Sequence, residues 1–253
     1  EPKWKDYRTQ LSILLVLALP ALALTYSRSA WFGFVLGFFF ISVWAMRDRR
    51  VIVATSLAVG SIALYLAFTG LVVNRLIDVS DQSISERFFE AFSYARWQGE
   101  YSGFGRVYWM LLTPLEVIPA SPIFGHGPAT FGGGAVAALG NSEVYDELGL
   151  PFGVYGTEGY IDNNWFSLWG ETGTLGFGLY LWIYIALFLT CIRVWRKSKD
   201  PLTRALAIGT AATMISIAFN AVLGTNLEVR TLASYLWVFP AIVIVQADRE
   251  NLL

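Results

Sequence analysis

The chain has 253 residues, 55% of them hydrophobic, at a mean hydropathy of +0.52. A soluble domain is nearer roughly 45–50% apolar, so the excess calls for a solvent other than water, while a formal net charge of −1 argues against a nucleic-acid binder. Cys191 and His126 are the only residues of their kinds, which excludes an internal disulfide, a cysteine zinc site, a histidine metal cluster and any Ser-His-Asp triad that lacks His126.

A spanning helix needs about 20 mostly apolar residues. Runs at 11–26, 30–46, 51–73, 174–195, 202–224 and 231–246 qualify, the first and last being short and dependent on interfacial ends. Pro20 and Pro240 are expected to kink their helices, which a bundle tolerates because neighbours satisfy the freed carbonyls. Cys191 falls in the fourth run as a core or lipid-facing thiol. Glu1 is not a methionine and the first run lacks a cleavage pattern, so a fragment or a processed chain is expected.

Basic residues set the direction. Lys3, Lys5 and Arg8 precede the first run, and Arg47, Arg49 and Arg50 join the second to the third. Arg193, Arg196, Lys197, Lys199 and Arg204 join the fourth to the fifth, and Arg249 follows the last. These twelve of the eighteen basic residues share one side, which the positive-inside rule makes cytoplasmic. Both termini are then cytoplasmic. The expected fold is an all-α integral membrane protein of about six transmembrane helices: three spans over 1–73, an outer loop domain over 74–164, and three spans over 165–253.

The outer segment carries eleven acids against Arg75, Arg87, Arg96 and Arg106. It is too long for a plain connector and too aromatic for disorder. Residues 83–97 predict an amphipathic helix with Phe88, Phe89, Phe92 and Trp97 near one face, suited to lying on a membrane surface. Residues 106–117 predict a second helix bent at Pro114, and Gly125, Gly127 and Gly132 to Gly134 predict tight turns.

Candidate chemistry narrows to arginines and carboxylates on the outer face. Arg28, in Ser27-Arg28-Ser29-Ala30-Trp31, is either a phosphate ligand or an interfacial anchor beside a tryptophan. Arg106, followed by Trp109, either clamps a second phosphate or offsets nearby acids. Asp162 is either an N-cap for the helix that follows or a general base at the membrane surface, with Asn163 beside it and Glu171 further on. His126 is a turn residue. Asn220, Asn226, Glu228 and Arg230 line a cavity or cross-link helices.

Three stretches, in this order, resemble the bacterial O-antigen ligase and O-antigen polymerase family. Thr25-Tyr26-Ser27-Arg28-Ser29-Ala30-Trp31 is similar to that family's Ser-Arg turn before a span. Gly105-Arg106 through Trp109 to Pro122-Ile123-Phe124-Gly125-His126-Gly127 and Phe131 resembles its Arg, Trp, Pro-x-x-Gly-x-Gly pattern in a periplasmic loop. Asp162-Asn163-Asn164-Trp165-Phe166 with Glu171-Thr172-Gly173 is similar to its His-Asn-x-x-Leu and Glu-x-Gly. Asp162 departs from the family's proposed basic histidine, and aspartate is intrinsically the weaker base.

The resemblance implies a GT-C-like fold in the bacterial inner membrane. It implies a donor glycan on undecaprenyl pyrophosphate and an acceptor hydroxyl of a glycan, of lipid A–core or of a protein, with no metal and no cofactor. Arg28 and Arg106 would stabilise the pyrophosphate leaving group and Asp162 would take the proton. Trp109, Asn163 and Glu171 would contribute to substrate binding, among membrane lipids. Members of that family have more spans, so the chain is expected to be a C-terminal half, with a missing N-terminal half as its complement. Rival readings are a transporter or flippase component, which would carry its polar groups at mid-membrane, and a non-catalytic family member, suggested by the departure at Asp162.

Overall fold

The computed structural model describes residues 8–47, 49–54, 56–57, 60, 94–153, 159 and 161–252. Among them the regular structure is entirely helical. Helix α1, Arg8–Leu24, carries Pro20 within it. Its end is set by a tight turn: Thr25 Oγ1 donates to Leu22 O at 2.7 Å, and Tyr26 adopts the left-handed region at φ 52°. Helix α2, Arg28–Phe39, continues as a π-helical stretch, Phe40–Ala45. Further along the chain come α3 (Tyr94–Ser102) and α4 (Arg106–Leu112), the latter prolonged by a π turn, Thr113–Val117, and by Ile118–Ala120. Pro114 has no N–H to give the regular ladder, and the wider turn absorbs it. Short helices α5 (Gly133–Leu139) and α6 (Glu143–Leu148) follow. Three long helices complete the chain: α7 (Asn164–Lys197), α8 (Pro201–Val222) and α9 (Arg230–Arg249), with a 3₁₀ turn, Asn226–Glu228, between the last two.

Four described helices are long and apolar enough to cross a membrane: Arg28–Ala45, Asn164–Lys197, Pro201–Val222 and Arg230–Arg249. The first expected span is a shorter apolar helix, Ser12–Leu24, because the turn at Tyr26 stops it. Most of the third, beyond residue 60, lies outside the described residues, as does the part of the expected 83–97 helix that holds Phe88, Phe89 and Phe92. Apolar side chains cover the outside of α1 and of the spans: Val16 is 67% exposed, Leu17 65% and Trp182 68%. Water would not tolerate so much contiguous apolar surface, so these helices belong in lipid as parts of a multi-pass membrane protein.

Small residues and polar cross-links hold the bundle together, as expected where the solvent is itself apolar. Gly33 and Gly37 of α2 face α8 so closely that a Cβ on either would overlap Asn220 or Ser216. Ser216 Oγ donates to Gly33 O at 2.6 Å. Trp165 Nε1 donates to Ala218 O at 2.9 Å, tying α7 to α8. Cys191 is buried with Ile192, Ala207, Ala211 and Val243 in the core that α7, α8 and α9 share. Arg196 stacks over the Trp44 ring at 5.3 Å, a cation–π contact that pins the far ends of α2 and α7.

Residues 109–161 have a core of their own. Trp109, Val117, Phe131, Val136, Tyr145 and Ile161 pack into one buried cluster. Tyr145 Oη accepts from Gly132 N at 2.8 Å, and burial pushes its phenol above the ordinary value.

Candidate active site at one end of the bundle

Arg28 opens α2. Ser27 is the N-cap, its Oγ accepting from Ala30 N at 3.4 Å. Trp31 Nε1 reaches back to Leu22 O at 2.8 Å, so the α1–α2 turn is braced from both sides. The N-terminal end of a helix already favours anions through its free N–H groups and dipole, and Arg28 adds a full charge there.

Arg106 opens α4, and the chain reaches it through a hairpin from α3. Phe104 is left-handed at φ 57°, and Gly105 N donates to Glu100 O at 2.6 Å. This turn seats Glu100, only 3% exposed, against the start of α4. Glu100 Oε2 accepts from Arg106 N at 3.1 Å, and its Oε1 pairs with Arg96 Nη2 and lies 3.5 Å from Arg106 Nη1. On the other side Arg106 Nη2 donates to Asp162 Oδ2 at 2.9 Å. The guanidinium is therefore held by a carboxylate at each terminal nitrogen, and its Nε is buried without a hydrogen-bond partner.

These elements enclose a cleft of about 610 Å³ with Arg28, Arg96, Glu100 and Arg106 in its walls. Phe32, Trp97, Phe219 and Leu223 supply its apolar side. Ser27 and Ser29 are shared with a second, about 590 Å³ groove that runs between α2 and α8 past Phe34, Phe38 and Ile41. A cationic cleft opening onto an apolar groove suits an anionic group carried on a hydrocarbon chain.

Arg28 and Arg106, far apart in sequence, thus meet in one cleft, and Asp162 joins them through its ion pair with Arg106. The other expected site residues do not. Trp109, expected to bind substrate, is 0% exposed, because its ring packs edge-on against Phe131 and Tyr145; it anchors α4 instead. Asn163, expected beside the substrate, is 1% exposed and is the cap of α7, its Oδ1 accepting from Phe166 N at 3.2 Å. The cap is thus Asn163, and Asp162 is left for Arg106. Asn164 Nδ2 donates to Glu228 Oε1 at 2.7 Å and its Oδ1 accepts from Leu227 N at 2.7 Å. Glu171 faces a separate cavity of about 350 Å³ with Glu228.

His126 lies in the turn expected of it, with Nε2 3.0 Å from Val117 O. Asn226 Nδ2 donates to Asn220 O at 2.9 Å, so those two cross-link the α8–α9 connection. Sequence reasoning missed Arg96 and Glu100 as cleft residues; their spacing of four on a helix was the available signal, and it reads first as a surface ion pair.

The motif Pro122 to Gly127 has a structural explanation. Gly173 takes φ 65° and kinks α7. Thr174 N donates to Pro122 O at 2.9 Å and Leu175 N to Ile123 O at 3.2 Å, while His126 N and Gly127 N donate to Gly170 O and Glu171 O at 2.9 Å each. The loop satisfies the backbone groups that the kink releases. Gly125 and Gly173 lie so close that a Cβ on either would overlap the other's backbone. The second and third motifs are therefore two halves of one joint.

No curated protein matches the chain. A family model described as O-antigen ligase matches residues 13–181, more than half of the chain and the whole of the stretch that carries Arg28, Arg106 and Asp162. The chain belongs to the O-antigen ligase family.

Proposed function

We propose that this protein transfers a glycan from undecaprenyl pyrophosphate to an acceptor hydroxyl at the periplasmic face of a bacterial inner membrane, with the termini of this chain on the cytoplasmic side. The fold is then GT-C-like, with 74–164 as the loop domain over the spans 1–73 and 165–253. The observation that carries this reading is the presence of Arg28 and Arg106 in the walls of one cleft that opens onto an apolar groove.

The acceptor oxygen attacks the anomeric carbon of the donor sugar, the bond from that carbon to the pyrophosphate oxygen breaks, and the lipid pyrophosphate leaves with the electron pair. Charge grows on phosphate oxygens as it does so, and fixed guanidinium donors stabilise that charge more in the transition state than in the ground state. Arg106 is fixed in advance by Glu100 and Asp162. Asp162 takes the hydroxyl proton on Oδ1, its Oδ2 being held by Arg106. The acceptor is a sugar hydroxyl of a glycan or of lipid A–core, or a protein hydroxyl.

Purified protein supplied with undecaprenyl-pyrophosphate-linked glycan and a candidate acceptor tests the reading. Arg28→Ala and Arg106→Ala should each lower the transfer rate by about 10²–10³-fold, the usual loss for one transition-state donor. Transfer at the wild-type rate by either variant would exclude the role given to that arginine.

A further inference from the structure

Glu100 is an acid in the wall of a cleft built to receive an anion. Left facing the cleft it would repel the substrate, yet it is among the least exposed charged residues described, at 3%. Both of its oxygens are turned away to donors. One caps the amide of Arg106, and the other lies between the guanidinium groups of Arg96 and Arg106. The backbone is shaped around this placement. Gly105 stands where a Cβ would overlap the Glu100 carboxylate and carbonyl, and the left-handed Phe104 closes the hairpin that brings the two arginines to either side of it.

We propose that Glu100 is a positioning residue: it fixes the rotamer of Arg106, and through a shared oxygen the spacing between Arg96 and Arg106, so that the cationic wall is preset for a diphosphate. This rests on the function proposed above. A long arginine side chain has many rotamers to lose on engaging phosphate, and ordering it beforehand shifts that loss from the reaction to folding. Asp162 holds only Nη2. Without Glu100 the guanidinium pivots about that single contact, and its opposite edge loses its alignment with the leaving group.

The test is a double-mutant cycle on the intact chain in liposomes, with undecaprenyl-pyrophosphate-linked glycan as donor. Glu100→Gln keeps the size of the side chain and an oxygen for the Arg106 amide while removing the charge. It should lower kcat by about 10- to 100-fold, the scale of loss from misplacing a catalytic group. In an Arg106→Ala background the same change should produce no further loss, because there is no guanidinium left to position. A merely structural Glu100 would slow both backgrounds by the same factor, and that result, or full activity of Glu100→Gln, overturns the proposal. Thermal melts on the same samples report folding. If Glu100→Gln fails to fold, Glu100→Asp carries the cycle: the charge stays but the shorter arm cannot reach the Arg106 amide and guanidinium together. Its loss should again vanish in Arg106→Ala, and an equal loss in both backgrounds again overturns the assignment. Wild-type activity of Arg106→Ala alone is a separate outcome: it removes the role given to Arg106, and the positioning role of Glu100 with it, while absence of transfer by the wild type removes the proposed function.

Discussion

Three adjacent residues in Asp162-Asn163-Asn164 do three different jobs: an ion pair to Arg106, a helix cap, and a clasp on the Leu227–Glu228 turn. The sequence shows that a cap lies in this stretch but not which residue it is, since Asp and Asn cap equally well. The ion pair settles it physically, by drawing Asp162 off to a partner 56 residues away. Asn163→Ala should therefore lower stability by about 1 kcal/mol, the usual loss for a helix cap, with transfer kinetics of the surviving folded protein little changed. A melt together with a rate measurement separates the two. Asp162→His tests the base: an imidazole ordinarily protonates near ~6.5, above a carboxylate. A base must be unprotonated to act, so activity falls as pH drops through its pKa, and the acid limb of the pH–rate profile should move to higher pH in this variant. An acid limb that stays where the wild type has it would take the proton-acceptor role away from Asp162.

Among the elements, the joint between the Pro122–Gly127 loop and the α7 kink was half legible. Glycines at 125 and 127 announce tight backbone, and their positive φ values of 72° and 102° bear that out, whereas the kink at Gly173, φ 65°, was not expected. What the sequence could not show is that Gly125 and Gly173 press against each other, because nothing local records a contact between residues 48 positions apart. Gly173→Ala introduces both a strained φ and an overlap with Ile123 and Gly125. A side chain where the native conformation is incompatible destabilises by more than about 1 kcal/mol. Protease cutting of the 122–127 loop should rise in this variant. Unchanged resistance would mean that the loop and helix are not held by this joint. Trp109 teaches the complementary lesson. An aromatic three residues from a candidate phosphate ligand reads equally well as a substrate platform or as core, and only packing against Phe131 and Tyr145 decides for core.

On the scale of the whole molecule, hydropathy gave the spans readily because the length of a membrane-crossing helix is fixed by lipid thickness. Four of the expected six emerge as candidate spans among the described residues, and the first falls short at the Tyr26 turn. The cleft was less legible. It needs α2, α3, α4 and α8 together, and only the two arginines that head α2 and α4 marked it in advance. Orientation follows from charge: the basic α7–α8 connection should be cytoplasmic and the α5–α6 region periplasmic. In a Cys191→Ala background, a membrane-impermeant maleimide should label a cysteine placed at Glu143 in intact cells, and one at Lys199 only after permeabilisation. The reverse pattern would invert the topology and put the arginine cleft on the wrong side for a periplasmic donor.

The central claim is that Arg28 and Arg106 grip a diphosphate, and its most direct test is binding rather than turnover. Affinity of the protein in lipid nanodiscs should be measured for undecaprenyl pyrophosphate and for undecaprenol, which share the chain and differ in the headgroup. Hydrogen bonds to charged groups are worth about 1.5–3 kcal/mol each, so the wild type should prefer the diphosphate strongly, and Arg28→Ala and Arg106→Ala should each erase about tenfold to a hundredfold of that preference. A preference that survives both substitutions unchanged would contradict the account.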